Sequence, residues 1–146
     1  MSYTNLLYHI VYATKERAPL ITNILRPRLH EYLGGIVHGL GSIPLEINGV
    51  SDHVHLLVKL RPTISVSEFL SKLKSNSSGW AKRQTKGRFA WQTRYGAFTV
   101  SESQVKHVRL YIRNQQKHHQ KMTFEVEYKA LLTAHQIDFD EAHLWS

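Results

Sequence analysis

The chain has 146 residues, enough for one domain, and its 19 Lys and Arg against 11 Asp and Glu give it a formal charge of +8 at neutral pH. The absence of cysteine excludes a disulfide scaffold, a thiolate zinc site and a cysteine nucleophile. No apolar run approaches the roughly 20 residues of a membrane span, and the opening MSYTNLLYHIVYATK is too polar for a signal peptide. The composition predicts a cytoplasmic globular protein with an anionic partner, and nucleic acid suits this charge best.

Hydrophobic patterns in the first part of the chain predict strands on both sides of one helix. Apolar and aromatic runs indicate the strands, and apolar residues at helical spacing indicate the helix. In chain order, the predicted elements are a strand at 5–14, a helix at 20–40, a strand at 43–50 and a strand at 53–60. Ser51 and Asp52 form a tight turn, so the last two strands should pair as an antiparallel hairpin.

The rest of the chain continues the alternation. In order, the patterns predict a helix at 65–84, a basic and aromatic loop at 86–95, a strand at 96–101, a helix from 101 or 103 to about 116 or beyond, a helix at 123–135 and a tail at 138–146. Ser65 followed by Glu68 is a capping box for the first of these helices. The first six elements have the ferredoxin-like order, which predicts a single α+β domain over 1–146, with an RRM-like antiparallel sheet and helices on one face.

A His-hydrophobic-His sequence lies on the second strand of the predicted hairpin. His53 and His55 flank Val54, and alternate residues of a strand share a face, so both imidazoles could hold one divalent metal ion. The alternative is a pair of half-buried histidines satisfied by hydrogen bonds. Asp52 before the motif either orients a histidine or is a turn residue.

A second group of polar residues lies on the predicted helix that follows the last strand. Tyr111 and Gln115 are four residues apart and project from one helical face. A tyrosine there could act as a phenolic nucleophile and the glutamine could offer its carbonyl oxygen to a metal; alternatively, Tyr111 is a core aromatic with its hydroxyl at the rim. We expect His118 and His119 to face solvent or DNA phosphate rather than to be catalytic.

Together these features resemble the single-tyrosine HUH transposases of the insertion sequence 200/605 type, where HUH means His-hydrophobic-His. Four blocks spread over nearly the whole chain carry the resemblance: YHIVYATK, GVSDHVHLLV, WQTRYGAFTVS and VRLYIRNQQKHH. The resemblance implies an enzyme in which Tyr111 attacks single-stranded DNA, forms a 5′-phosphotyrosine bond and releases a 3′-hydroxyl. It also implies that His53, His55 and Gln115 bind one Mg²⁺ or Mn²⁺, with no small-molecule cofactor.

The resemblance further implies partners. The family recognises hairpin ends of a mobile element and works as a homodimer, in which the tyrosine helix can serve the partner subunit's histidine pair. We therefore expect a homodimer with composite active sites, while the sequence leaves the target DNA and the choice between sites within and between chains open.

An acid-free stretch from 69 to 101 is the predicted DNA-binding surface. Its cations neutralise phosphates, and interleaved aromatic residues can stack on unpaired bases. The cations are Lys72, Lys74, Lys82, Arg83, Lys86, Arg88 and Arg94. The alternative is a solvated helix face beside core aromatic residues.

Three other functions compete with this interpretation. A domesticated relative would act on repeated palindromes without moving its own gene. A nucleic-acid-binding module would bind without cutting, and a metal-dependent hydrolase would use the histidines with water as the nucleophile.

Overall fold

The computed structural model describes residues 2–146 and contains a four-stranded antiparallel sheet with strand order β2-β3-β1-β4. The strands are β1 (Leu6–Ala13), β2 (Ile43–Val50), β3 (His53–Leu60) and β4 (Gly96–Thr99). The helices are α1 (Leu25–Gly39), α2 (Val66–Gln84), α3 (Val105–Arg113), α4 (Gln115–His118) and α5 (Phe124–Ala134). The predicted ferredoxin-like α+β fold is confirmed. Among the described residues, no helix has the length and apolar character needed to cross a membrane.

The main core lies between the sheet and helices α1 and α2. Alternate residues of β3 point to this face, because successive strand side chains point to opposite sides. The buried side chains are Ile10 and Tyr12 from β1, Val54, Leu56 and Val58 from β3, Leu29, Leu33 and Val37 from α1, and Phe69, Leu70 and Leu73 from α2. The opposite residues of β3, starting with the two histidines, are therefore directed away from this core.

The β2–β3 hairpin has the predicted bounds on both strands. A side chain at Gly49 would clash with the backbone carbonyl of His53, so the glycine allows β2 to approach the start of β3 closely. The hairpin thereby fixes the position of His53, the first residue of β3 after the turn.

Both crossover helices begin at a capping side chain. Ser65 Oγ accepts a hydrogen bond from the backbone N–H of Glu68 at 3.1 Å, as predicted for α2. Helix α1 starts later than its apolar pattern suggested, with Leu25, whose N–H donates to Thr22 Oγ1 at 3.1 Å. The preceding chain stays non-helical because Ile21 donates its N–H to the carbonyl of Ser51 in the hairpin turn, at 3.0 Å.

Helices α3, α4 and α5 pack against the other face of the sheet. The prediction of one continuous helix to about 116 is wrong, because the helix breaks at Asn114. The cause lies on β2, where the Asn48 amide donates to the carbonyls of Ile112 at 3.1 Å and Arg113 at 3.0 Å. Because these two carbonyls accept from Asn48, α3 ends at Arg113, and α4 begins at Gln115.

Helix α3 is held against the edge strand β2 by polar contacts. Arg113 and Arg109 reach the carboxylate of Glu46 at 2.9 and 3.5 Å, whereas Ile112 is the one α3 residue buried in the described structure. The position of α3 therefore depends mainly on charged and amide contacts.

The segment 138–146 is docked rather than a free tail, which corrects the prediction. Leu144 is buried, and the Trp145 ring lies 5.4 Å from the Phe124 ring and 5.6 Å from the Tyr128 ring. The Gln92 amide also donates to the carbonyl of Leu144 at 3.3 Å. This segment closes the smaller core beneath α5.

Candidate active site

Strand β3 presents His53 and His55 to the face covered by α3–α5. Both side chains are fully buried, and their ring centroids lie 5.1 Å apart. The register places His53 beside Ala13 and His55 beside Val11 of the central strand β1. The two imidazoles therefore project from an inner strand of the sheet, at its end next to the hairpin turn.

Asp52 orients His53 from the hairpin turn, so it is both a turn residue and a partner of the histidine. Its Oδ1 lies 2.8 Å from His53 Nδ1 and can only accept, which fixes the proton on Nδ1. His53 Nε2 then faces Gln115 Oε1 at 3.0 Å. Burial lowers the pKa of His53, but hydrogen bonds to Asp52 and Glu127 outweigh burial and leave the pKa raised.

His55 lies between another histidine and a carboxylate. Its Nδ1 is 2.8 Å from His9 Nε2, and its Nε2 is 3.1 Å from Glu127 Oε1. Burial lowers the pKa of His55 to about 4, so the ring is neutral at neutral pH. The sequence analysis missed His9 because it lies inside an apolar run, although its alternation with Val11 places it on the His55 side of the sheet.

Tyr111 and Gln115 converge on the same carboxylate despite the helix break between them. The Tyr111 hydroxyl donates to Glu127 Oε2, and Gln115 Nε2 donates to the same oxygen at 3.0 Å. The Tyr111 ring lies 5.8 Å from the His55 ring. Burial, together with the negative charge of Glu127, raises the pKa of Tyr111, which keeps the phenol protonated before any reaction.

Glu127 of α5 is the centre of the cluster and was missed by sequence reasoning. Its side chain is only 2% exposed. Burial raises the pKa of this carboxyl, but hydrogen bonds from His119, His53 and His55 lower the pKa well below its usual range. A local signal existed, because Glu127 lies on the same helical stripe as the apolar Phe124, Tyr128 and Leu131.

His119 belongs to the cluster, which corrects the expectation that it faces solvent or phosphate. Its Nδ1 lies 2.7 Å from the carbonyl of Met122, and its Nε2 lies 3.0 Å from both Gln115 Oε1 and Glu127 Oε1. His119 follows α4, beyond the helix break, and its Nε2 points into the cluster. His118 stays partly exposed, with its ring 5.4 Å from the Tyr111 ring.

The donor chemistry of this cluster fits a divalent metal ion. The possible ligand atoms of His53, His119 and Glu127 all lie within 4.8 Å of one another, with His55 and Gln115 adjacent. Histidines that bind metals usually donate their other ring N–H to a carboxylate or carbonyl, as His53 and His119 do here. The predicted ligands His53, His55 and Gln115 are thus neighbours.

All of these groups come from one chain. The expected arrangement had the tyrosine helix reaching the partner subunit's histidine pair, yet the described chain brings Tyr111 against its own His55. Helix α3 follows β4 closely enough to pack on its own sheet, against β2 and β3. A composite site between subunits is therefore unnecessary to bring these residues together.

Two of the seven predicted DNA-binding cations are engaged within the protein. Lys74 Nζ donates to the carbonyls of Gln92 at 2.6 Å, Thr93 at 3.0 Å and Arg94 at 3.0 Å, and Lys72 pairs with Glu68 at 3.2 Å. Lys72 is nevertheless exposed, as are the other five: Lys82, Arg83, Lys86, Arg88 and Arg94.

The basic loop 86–95 lies at the same end of the sheet as His53. Gln92 donates its N–H to the carbonyl of Ala13 at 2.9 Å, and Ala13 is the register partner of His53. This hydrogen bond connects the loop to the strand beside His53, while Phe89 and Trp91 of the loop pack into the core on the opposite face of the sheet.

Comparison with known proteins gives consistent matches. The family model described as "Transposase IS200 like" matches residues 2–115. The transposase for insertion sequence element IS200 of Salmonella typhimurium is 30% identical over 118 residues, which cover 76% of this chain and 77% of that protein. The ISDra2 transposase TnpA of Deinococcus radiodurans is 29% identical over 117 residues, covering 74% of this chain and 82% of that protein.

Solved structures agree with the fold. A crystal structure assigned as a transposase from Deinococcus radiodurans R1 superposes with a TM-score of 0.65 at 26% identity, over 78% of this chain and 93% of that chain. A REP-associated tyrosine transposase bound to a REP hairpin superposes with a TM-score of 0.58 over 78% of this chain and 68% of that chain, and its 14% identity makes this a likeness of fold.

Proposed function

Because the chain belongs to the family of IS200-like transposases, we propose that it cleaves and rejoins single-stranded DNA through a 5′-phosphotyrosine intermediate on Tyr111. One observation supports this most directly. The Tyr111 hydroxyl and the Gln115 amide donate to the same Glu127 carboxylate, which also contacts His55, so nucleophile and metal-binding candidates form one buried cluster.

The proposed ligands of a divalent ion, Mg²⁺ or Mn²⁺, are His53, His55 and Gln115. Such an ion, when bound, polarises a non-bridging phosphate oxygen and offsets charge that develops in the transition state. Asp52 and His9 hold the other nitrogens of the two histidine rings and so orient them toward the cluster.

The reaction begins when the Tyr111 oxygen attacks phosphorus. A phosphorus–oxygen bond to Tyr111 forms while the bond to the 3′-oxygen breaks, and the phenolic proton passes to Glu127 Oε2, its hydrogen-bond acceptor. The departing 3′-oxygen takes a proton from solvent and leaves as a hydroxyl, and Glu127 releases the phenolic proton to solvent. Since the phosphotyrosine bond is itself a phosphodiester, a 3′-hydroxyl can later reverse the step and rejoin the DNA.

The proposed substrate is single-stranded DNA with a hairpin at the end of a mobile element. The exposed cations named above, three of them on the loop 86–95 that is hydrogen-bonded to the end of β1, supply a phosphate-binding surface. The hairpin in the structurally similar REP-associated transposase supports this substrate. We further propose that the enzyme acts in the cytoplasm as a homodimer, because a twofold pair holds two DNA ends for exchange.

The experiment uses labelled single-stranded DNA that carries the sequences flanking the gene. Protein, DNA and Mg²⁺ or Mn²⁺ are incubated and resolved by denaturing electrophoresis. A covalent protein–DNA band that disappears with EDTA supports the proposal. Free nicked products without a covalent band would indicate a hydrolase, and bound but uncut DNA would indicate a binding module.

A matched pair of variants separates chemistry from binding. His53→Ala should reduce cleavage at least about 100-fold while hairpin binding changes little, because the metal serves the transition state more than affinity. His107→Ala, an exposed histidine on α3, should leave both unchanged. Cleavage by wild-type protein that persists in EDTA would contradict the metal requirement.

A further inference from the structure

Two residues outside the proposed ligand set face the same point as its members. Glu127 Oε1 lies 3.0 Å from His119 Nε2, 3.1 Å from His55 Nε2 and 3.5 Å from His53 Nε2. Gln115 Oε1 lies 3.0 Å from the Nε2 atoms of both His53 and His119. Five potential ligand atoms from β3, α4, the turn after it and α5 therefore converge.

The hydrogen bonds around His119 determine which of its ring nitrogens carries the proton and which can bind a cation. The Met122 carbonyl can only accept, so His119 Nδ1 carries the proton, and in the neutral ring Nε2 carries a lone pair. That lone pair faces Gln115 Oε1 and Glu127 Oε1. The Gln115 amide is fixed in this orientation because its Nε2 donates to the other Glu127 oxygen. A cation placed between His119 Nε2 and these two oxygens would contact all three atoms.

The nitrogen–oxygen separations in this cluster match those between neighbouring ligands of a metal ion. Two ligand atoms at neighbouring corners of an octahedron lie about 3.0 Å apart when each bond is about 2.1 Å long. Four of the five Nε2 and Oε1 separations measured above are 3.0 or 3.1 Å, and the fifth is 3.5 Å. Ligand atoms of His53, His119 and Glu127 already lie within 4.8 Å of one another, and His55 reaches this group through Glu127 Oε1.

We propose that His119 and Glu127 join His53, His55 and Gln115 as ligands of the metal ion, and that Glu127 connects the ion to the nucleophile. Its Oε1 faces the three imidazoles, whereas its Oε2 accepts the hydrogen bond from Tyr111. The inference rests on the proposed function, which assigns a metal to this cluster. Five protein ligands leave about one octahedral position for a phosphate oxygen.

This ligand set also has a preference among metals. Mg²⁺ favours oxygen ligands and keeps several waters, whereas imidazole nitrogens suit transition metals. Three imidazoles and two oxygens therefore select Mn²⁺ over Mg²⁺. A set of only His53, His55 and Gln115 would leave more positions for water and discriminate less.

The alternative is that Glu127 only holds α5 against the sheet. Calorimetric titration of metal-free protein with Mn²⁺ and with Mg²⁺ separates the two roles without using DNA. The variants are Glu127→Gln, which keeps the shape and loses the charge, and His119→Ala, which lies at the edge of the cluster. The matched controls are Glu125→Gln on the exposed side of α5 and His107→Ala on α3.

We expect wild-type protein to bind Mn²⁺ at least about 10-fold more tightly than Mg²⁺, and each cluster variant to lose about 10-fold or more in Mn²⁺ affinity. The controls should keep wild-type affinity. The rise in Tm on adding Mn²⁺ should shrink in both cluster variants. A purely structural Glu127 would instead lower the Tm of metal-free protein and leave the metal-induced rise intact.

Retention of full Mn²⁺ affinity in either cluster variant would overturn the proposal. If Glu127→Gln fails to fold, His119→Ala alone still tests the ligand set. The DNA assay is read separately. A covalent band together with unchanged metal affinity would reject this ligand set and leave the proposed function standing. Loss of Mn²⁺ affinity in both variants, with no covalent band from wild-type protein, would support this ligand set and reject the proposed function.

Discussion

The hydroxyl of Tyr111 donates a hydrogen bond to the carboxylate of Glu127, sixteen residues further along the chain. The two residues lie on α3 and α5, and the bond joins these helices above the histidines of β3. The proposed nucleophile, Tyr111, is therefore held by a side chain from a different helix, and the orientation of its hydroxyl depends on both helices.

Tyr111→Phe should abolish the covalent DNA adduct and leave hairpin affinity within about twofold, because only the phenolic oxygen is removed. Glu127 keeps its contacts with Gln115, His55 and His119, so the free energy of unfolding should change by about 1 kcal/mol or less. Denaturing electrophoresis and urea denaturation check the two parts. An adduct that persists would move the nucleophile elsewhere, with Tyr95 and Tyr128 next to test.

Mixing inactive Tyr111→Phe with inactive His53→Ala protein should restore no cleavage. Tyr111 contacts the histidine pair of its own chain, so each chain carries one lesion in its own site. The assay measures adduct formation after subunit exchange, which differently tagged chains and co-purification verify. A mixture of wild type with His53→Ala is the control and should stay active. Recovered cleavage in the double-variant mixture would instead show that the tyrosine helix serves the partner.

Lys74→Ala should mainly reduce the stability of the fold, whereas Arg88→Ala should mainly weaken DNA binding. Lys74 is partly buried and holds the carbonyls of the loop at 92–94, and burial lowers its pKa to about 8. Its loss should cost about 1–3 kcal/mol of stability. Arg88 is exposed, so its loss should leave stability within about 0.5 kcal/mol, weaken DNA binding and reduce the salt dependence by about one phosphate contact. Binding isotherms at several salt concentrations check this, and an unchanged slope for Arg88→Ala would remove it from the DNA surface.

Acid should destabilise the fold partly through His30 of α1. Burial, followed by the charge of Arg26, lowers the pKa of His30 to about 4 from its ordinary 6.5, and its Nε2 has no hydrogen-bond partner. Between these values the unfolded chain binds more protons, so the free energy of unfolding falls as the pH falls from about 6.5 to about 4.

His30→Gln should lose less stability than wild type between pH 7 and pH 4.5, by at most about 3 kcal/mol at about 1.4 kcal/mol for each pKa unit. Urea denaturation at the two pH values measures the difference. The buried His9 and His55 titrate in both proteins, so the comparison isolates His30. Identical pH dependence in the two proteins would contradict the assignment.

Much of the fold follows from local patterns. Ser51 and Asp52 mark the hairpin turn, and Ser65 with Glu68 marks the start of α2, because these signals depend on neighbours in the sequence. The break at Asn114 depends on Asn48, which lies more than sixty residues away, so the helical pattern alone could not show it.

The site was predictable only in part for the same reason. The pairs His53–His55 and Tyr111–Gln115 have recognisable spacing, whereas His9, His119 and Glu127 enter the cluster through tertiary packing. For Glu127, the local signal in the sequence was a glutamate on the apolar stripe of α5, which the structure shows to be buried.

The polar attachment of α3 to β2 gives the helix that carries Tyr111 a local stability different from that of the rest of the fold. Glu46 and Asn48 hold the helix from an edge strand, and Ile112 is its buried contact, whereas α1 and α2 rest on an extensive apolar core. Salt screens charged contacts at a protein surface far more than it affects apolar packing. Helix α3 should therefore undergo local opening, with exchange of its amide hydrogens, at a lower free energy than the sheet beneath it. A higher ionic strength should therefore increase the opening of α3 and lower the fraction of protein in which Tyr111 is aligned with the histidines.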